Sequence, residues 1–201
     1  MLILDFYSGA GGWAHGLLAA GHRVIGYDIL DFSKVYPGEF VQADLLQNID
    51  FPQADFITAS PPCTEFARTS FPPTWAAARK PVDIQGACQL FERVFELVDI
   101  IKPTHGFIIE NVRGAQKFCG RAKEHMGSRY LWGSYPAFQP YQPRKGELYG
   151  KVRVPQYVRN LIPKSSVPAD ISYPAVLRSF IPYPISYGLG LKLKEIETQK
   201  V

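Results

Sequence analysis

In "FITASPPCTEFA", residues 56–67, a cysteine stands directly behind two prolines. Pro61 and Pro62 hold φ at about −65° and offer no amide donors, so they form a rigid corner that can aim the next side chain off a sheet edge. A thiol reacts as its thiolate. As a nucleophile, Cys63 therefore calls for nearby positive charge or a helix N-terminus, and Arg68 lies five residues on. A carboxyl group closes "FIIENVRG": Glu110, placed to hold a proton and act as an acid, followed by Asn111. In "LDFYSGAGGWAHGLLAAG", Gly9, Gly11 and Gly12 form a glycine loop, with Asp5 just ahead of it. Each feature also has a plain structural use: a small buried thiol, a salt-bridged acid, a tight turn.

The elements that must position these residues follow from periodicity. "MLILDFYS", "RVIGYDIL", "EFVQADL", "ADFITAS" and "HGFIIENV" read as strands, with "GWAHGLLAAGH" a helix between the first two. "IQGACQLFERVFELVDIIK" puts Ala87, Leu90, Phe91, Val94, Leu97, Val98 and Ile101 on one helical face. Apolar strands alternating with helices predict an α/β fold, a mostly parallel sheet covered on both faces. Past Arg113 the pattern weakens. "RYLWGSYPAF" is compatible with a strand pair, residues 136–184 read as irregular, and "YPISYGLGLKLKEIETQK" reads as a short helix broken by Gly188 and Gly190. The expected division is a cofactor-binding catalytic part over residues 1–135 and a basic Pro/Tyr-rich extension over 136–201 that packs back on it, within one compact unit.

In such a sheet, ligands sit outside the C-terminal ends of the strands. The glycine loop follows the first strand, Asp28 ends the second and Asp44 ends the third. Glycines let a backbone approach a ligand, and an acid after the second strand suits ribose hydroxyls. Each acid alone is equally a helix cap or a turn residue. Together they imply a nucleoside-bearing cofactor, without separating NAD from S-adenosylmethionine.

Three motifs in order, "DFYSGAGGWAHGLLAAGHRVIGYDI", "SPPCTEFA" and "ENV", resemble those of the DNA cytosine-5 methyltransferases, over roughly residues 2–115. The resemblance implies a Rossmann-like class I methyltransferase fold and S-adenosylmethionine as cofactor. It implies cofactor contacts from Asp5, Phe6, Ser8, Gly9, Gly11, Gly12, Asp28, Ile29, Asp44, Leu45 and Pro61, with Asp44 at the adenine amino group. It makes Cys63 the nucleophile on cytosine C6, and Glu110 with Asn111 the grip on the base. The chain departs from the family pattern at Thr64 and Ala67, where Gln and Ser are usual. No Gln-x-Arg-x-Arg stretch is present; Arg144 and Arg153 are loose stand-ins. The 91 residues after Glu110 leave less room than a full target-recognition domain takes, which raises single-stranded nucleic acid, a free nucleotide or a separate recognition subunit as alternatives, alongside a non-catalytic relative that binds nucleic acid.

The charge distribution suits either a polyanion partner or a plain solvated surface. Residues 1–112 carry 7 Lys+Arg against 13 Asp+Glu, and residues 113–201 carry 15 against 5, so the second part is at +10. The expected partner is DNA, duplex or single-stranded, contacted by Arg68, Arg79, Lys80, Arg113, Arg144 and Arg153. "FPPTWAAARKP", with Trp75, is a candidate loop over the base. Three cysteines at wide spacing form no disulfide framework and favour a reducing, cytoplasmic setting. Neither a leader peptide nor a membrane span is expected. Cys119 and His125 lack the second pair of ligands a metal site needs, so no metal is expected.

Overall fold

The computed structural model describes residues 1–69, 81–142, 168 and 180–199. The predicted strands form: Leu2–Phe6 (β1), Arg23–Asp28 (β2), Glu39–Gln42 (β3), Phe56–Ala59 (β4) and Phe107–Asn111 (β5). They pair in parallel in the order β3-β2-β1-β4-β5. Consecutive residues of β1, β2, β4 and β5 are buried, because helices cover both faces, so these strands read as continuous apolar runs rather than alternating ones. The edge strand β3 is largely exposed.

One face is covered by Ile84–Ile101 (α3), whose Ala87, Phe91, Val94, Leu97 and Ile101 are buried against Leu4, Phe6, Ile57 and Ile109. Asp83 caps its first turn by accepting from the Gly86 amide at 2.9 Å. On the other face, Gly12–Ala19 (α1) packs with Tyr183–Thr198 (α5) over Ile3, Val24, Phe56 and Ile108. The sheet is thus the α/β, Rossmann-like arrangement expected.

Two expectations for the second half need correction. The strand pair is not contained in "RYLWGSYPAF". It is a hairpin of Glu124–Met126 (β6) and Arg129–Trp132 (β7), turning at Gly127 with φ 63°, and β7 adds antiparallel to β5. The final helix is not broken at Gly188 and Gly190 but runs unbroken from Tyr183 to Thr198. Its glycines serve close approach: a Cβ at Gly188 would overlap the Gln139 carbonyl, and one at Gly190 would press on Ala20. The facing helix answers with Gly16, where a Cβ would overlap Ser186 and the Tyr187 amide. Burial of that contact outweighs the helix penalty of glycine, about 1 kcal/mol each.

The strand order carries the functional consequence. From β1 the chain moves outward to β2 and β3, then returns to place β4 on the other side of β1. A crevice opens at such a reversal, outside the C-terminal strand ends. Substituting Gly16→Ala gains helix propensity but forces overlap with α5 backbone, and overpacking costs about 1–3 kcal/mol. The expected result is a lower melting temperature by thermal denaturation; an unchanged or higher one would contradict the α1–α5 contact.

Candidate active site

Sequence-predicted Pro61, Cys63, Arg68, Glu110, Asn111 and Arg113 lie at or just past the ends of β4 and β5. Cys63 stands at the N-cap of the short helix Thr64–Arg68 (α2), its carbonyl accepting from the Ala67 amide at 2.9 Å. The corner ahead of it is anchored from three directions. The Ser60 amide donates to the Phe6 carbonyl of β1 at 3.0 Å. The Ser60 hydroxyl accepts from Trp13 Nε1 of α1 at 3.1 Å. From β5, the fully buried Asn111 donates through Nδ2 to the Pro61 carbonyl at 2.9 Å, and its Oδ1 accepts from the Val112 amide. The two prolines cannot donate, so the neighbours supply the bonds that hold the corner.

Glu110 is 5% exposed and accepts from Arg129 Nη1 at 3.2 Å. Arg129 also donates through Nη2 to the Phe180 carbonyl at 3.2 Å, which ties the start of the last helical segment to the acid. Burial raises the Glu110 carboxyl above the ordinary carboxylate range, and Arg129 opposes that rise. The Cys63 thiol is also raised, first by burial and then by the Glu110 charge, while Arg129 lowers it. The expected lowering by Arg68 does not occur: Arg68 is paired with Glu65, three residues back, at 2.9 Å. Arg129 was missed by sequence reasoning. Glu110 lies opposite Leu131 in the β5–β7 ladder, so Arg129, two residues away on β7, faces the same side. Only the strand register reveals this.

The cofactor candidates ring the β1–β4 reversal. Asp28 accepts from the Gly9 amide at 2.9 Å and the Leu30 amide at 3.0 Å, which ties the end of β2 to the glycine loop. Of the three glycines only Gly9, at φ 49°, is open; a Cβ at Gly11 would press on Pro37, and one at Gly12 would overlap Ile181. Ser8 Oγ is buried with no hydrogen-bond partner among the described residues. Ile29 is 61% exposed at the same rim. Open loop backbone, an unused hydroxyl, an acid with lone pairs to spare and an exposed apolar side chain fit a nucleoside with a charged tail.

Three assigned residues sit differently. Asp5 is fully buried beneath the loop, accepting from Thr58 at 2.8 Å and Tyr36 at 3.1 Å, and burial pushes its carboxyl up to about 8. It supports the loop from below. The Phe6 ring and the Leu45 side chain belong to the core under α3. The aromatic at the rim is Tyr7, which leaves the strand at φ 52° and donates its hydroxyl to the Leu90 carbonyl of α3 at 3.0 Å. Asp44 is half-buried in a turn, accepting from the Leu46 amide at 3.0 Å. Pro61 is buried in the corner.

Arg113 is exposed just past β5, opening a short 3-10 turn, Arg113–Ala115, that leads into Gln116–Cys119 (α4). Lys117, Arg121 and Lys123 are exposed along the same stretch. Arg79, Lys80, Trp75, Arg144 and Arg153 lie outside the described residues. Cys119 meets Cys88 rather than His125, and its thiol is pushed up to about 12, by burial first. Among the described residues no three His, Cys, Asp or Glu side chains are grouped to hold a metal.

A family model described as C-5 cytosine-specific DNA methylase matches residues 1–126, which carry the glycine loop, the Pro-Pro-Cys corner and the Glu-Asn pair. The chain belongs to that family. S-adenosylmethionine is the cofactor that membership carries, and the ring of groups at the β1–β4 reversal fits it. Among solved structures, the chain is similar to an E. coli protein described as a prophage-encoded DNA modification methyltransferase, with 25% identity and a TM-score of 0.45, covering 60% of this chain and 35% of that one. It is also similar to Dnmt2 of Spodoptera frugiperda (22% identity, TM-score 0.39, covering 58% and 37%) and of S. pombe (16%, 0.41, 60% and 37%). The chain thus spans little more than a third of the length of those structures. No curated protein sequence matches it.

The electrostatics give a direct test on the free protein. Alkylation of Cys63 by iodoacetamide, followed against pH by peptide mass spectrometry, reports the thiolate. Arg129→Met removes the charge that lowers the thiol and is expected to move the profile to higher pH. Glu110→Gln removes the charge that raises it and is expected to move the profile to lower pH. Profiles that do not move, or move the other way, would contradict the coupling.

Proposed function

We propose that this chain transfers a methyl group to C5 of cytosine in DNA, with Cys63 as covalent nucleophile and Glu110 as acid. The observation that carries the proposal is the convergence, at adjacent strand ends, of the anchored Cys63 corner and the buried Glu110 held by Arg129. When bound in the glycine-loop pocket, S-adenosylmethionine supplies an electrophilic methyl group. We assign its binding to Asp28, the Gly9 backbone, Ser8, Ile29 and Asp44, supported by the open glycine, the unused hydroxyl and the exposed rim.

C5 of cytosine is a weak nucleophile while the C5–C6 double bond is intact. Saturating C6 turns C5 into an enamine carbon, so covalent attack divides one hard step into easier ones. The Cys63 thiol loses its proton to water and its sulfur bonds to C6. The displaced electron pair runs toward N3, where Glu110 delivers its proton. The raised Glu110 carboxyl suits this role: burial keeps it protonated to higher pH than an ordinary glutamate. Once C5 is methylated, water removes the C5 proton, the C5–C6 double bond re-forms, Cys63 leaves as thiolate and the N3 proton returns to Glu110. Asn111 contributes by fixing the corner rather than by touching the base. Arg129 balances the negative charge that Cys63 and Glu110 would otherwise share.

A base inside a duplex cannot reach this pocket, so the target nucleotide has to leave the stack. Exposed Arg113, Lys117 and Arg121, in the stretch that follows the Glu110 strand end, support a polymer over a free nucleotide, because a run of cations matches a run of phosphates. The test is methyl transfer from labelled S-adenosylmethionine to duplex DNA, single-stranded DNA, RNA and free cytidine nucleotide in parallel. Transfer to DNA is expected, abolished by Cys63→Ala and reduced about 10²–10⁴-fold by Glu110→Gln. Undiminished transfer by Cys63→Ala would sink the covalent route. Transfer to RNA or to the free nucleotide with none to DNA would overturn the substrate.

A further inference from the structure

Arg93 lies on α3, far along the sequence from every motif above, yet its mostly buried side chain reaches the turn that follows β3. Its Nε donates to the Leu45 carbonyl at 2.8 Å and its Nη2 to the Gln47 carbonyl at 3.2 Å. Its Nη1 is held by Glu96, one turn on, at 2.6 Å, which orients the planar guanidinium toward the turn. The turn itself is built around Asp44. The Asp44 carboxylate accepts from the Leu46 amide at 3.0 Å and from Gln47 Nε2 at 3.3 Å, and its carbonyl accepts from the Gln47 amide at 2.9 Å. Leu45 anchors the turn in the core, whereas Leu46 and Gln47 are exposed. One turn of helix earlier on α3, the Leu90 carbonyl receives the Tyr7 hydroxyl of the glycine-loop rim. Residues three apart share a helix face. A single face of α3 therefore grips both the glycine-loop side of the pocket and the Asp44 side.

We infer that Arg93 is the positioning residue for the adenine end of the cofactor pocket, fixing through two backbone carbonyls the turn that aims Asp44. The inference rests on the reading of Asp44 as the contact to the adenine amino group. Arg93 touches no reacting atom; it acts through Asp44. A lysine keeps the charge and the stem but cannot span two carbonyls with a rigid fork. Arg93→Lys is thus the informative substitution.

The experiment measures, by calorimetry, the affinity of the full chain for S-adenosylhomocysteine and for S-inosylhomocysteine, in which an oxygen replaces the amino group. A site that accepts from that amino group is left facing an unpaired acceptor by the inosyl compound. The wild type is expected to prefer the adenosyl compound by about tenfold or more, and Arg93→Lys to lose most of that preference. Asp44→Asn is expected to lose it too, and the double variant Asp44→Asn, Arg93→Lys to lose no more than Asp44→Asn alone, since both act through one contact. A mere structural brace would lower the melting temperature and leave the preference intact, so a wild-type preference retained by Arg93→Lys overturns the inference. Additive losses in the double variant also overturn it. A wild type that binds both compounds equally overturns the Asp44 reading itself, and the inference with it.

Discussion

Glu110 and Cys63 stand close together in largely buried surroundings, and each in its ionised form raises the cost of ionising the other. Two like charges in a poorly solvated space cannot both be present without a counter-charge. Arg129 provides it, from a strand that runs antiparallel to the one carrying the acid. The consequence is a resting site in which the thiol is held above its ordinary range and the carboxyl above its own. In such a site Glu110 can give up its proton at little cost only while something spreads the charge of the thiolate. A base that accepts a proton at one atom while being attacked at another does both at once.

The fold serves this arrangement by bringing strand ends together. The reversal between β1 and β4 sets the glycine loop beside the cysteine corner, and β5 adds the acid on the far side. Because the corner has no amide donors of its own at Pro61 and Pro62, its geometry is borrowed from Trp13, Phe6 and Asn111 on three other elements. Packing of α5 against α1 then closes the back of the loop, with Ile181 seated on Gly12.

Much of this was legible in the sequence. Continuous apolar runs gave away strands buried on both faces, and the helical face of residues 84–101 emerged almost residue for residue. The Pro-Pro-Cys and Glu-Asn pairs stood where strand ends were expected. What could not be read depends on distance through space. Arg129 needs the β5–β7 register, and the hairpin carrying it lay in the weakly patterned half. The charge that lowers the Cys63 thiol is that of Arg129, whereas Arg68, the near cation in the sequence, is paired with Glu65. Gly188 and Gly190 looked like helix breakers because glycine disfavours a helix in isolation; their use in close packing shows only against Gln139 and Ala20. Gly11 and Gly12 are also glycines for packing, since a Cβ there would meet Pro37 and Ile181, whereas one at Gly9 would meet nothing.

The central claim is that Cys63 bonds to the base it helps to methylate. An oligonucleotide carrying 5-fluorocytosine traps that bond, since fluorine cannot leave C5 as a proton does and the sulfur cannot then depart. Incubated with the protein and S-adenosylmethionine, it is expected to give a stable covalent complex whose cross-linked peptide, by mass spectrometry, joins Cys63 to a methylated fluorocytosine. No covalent complex, or one joined through any residue other than Cys63, would contradict the account.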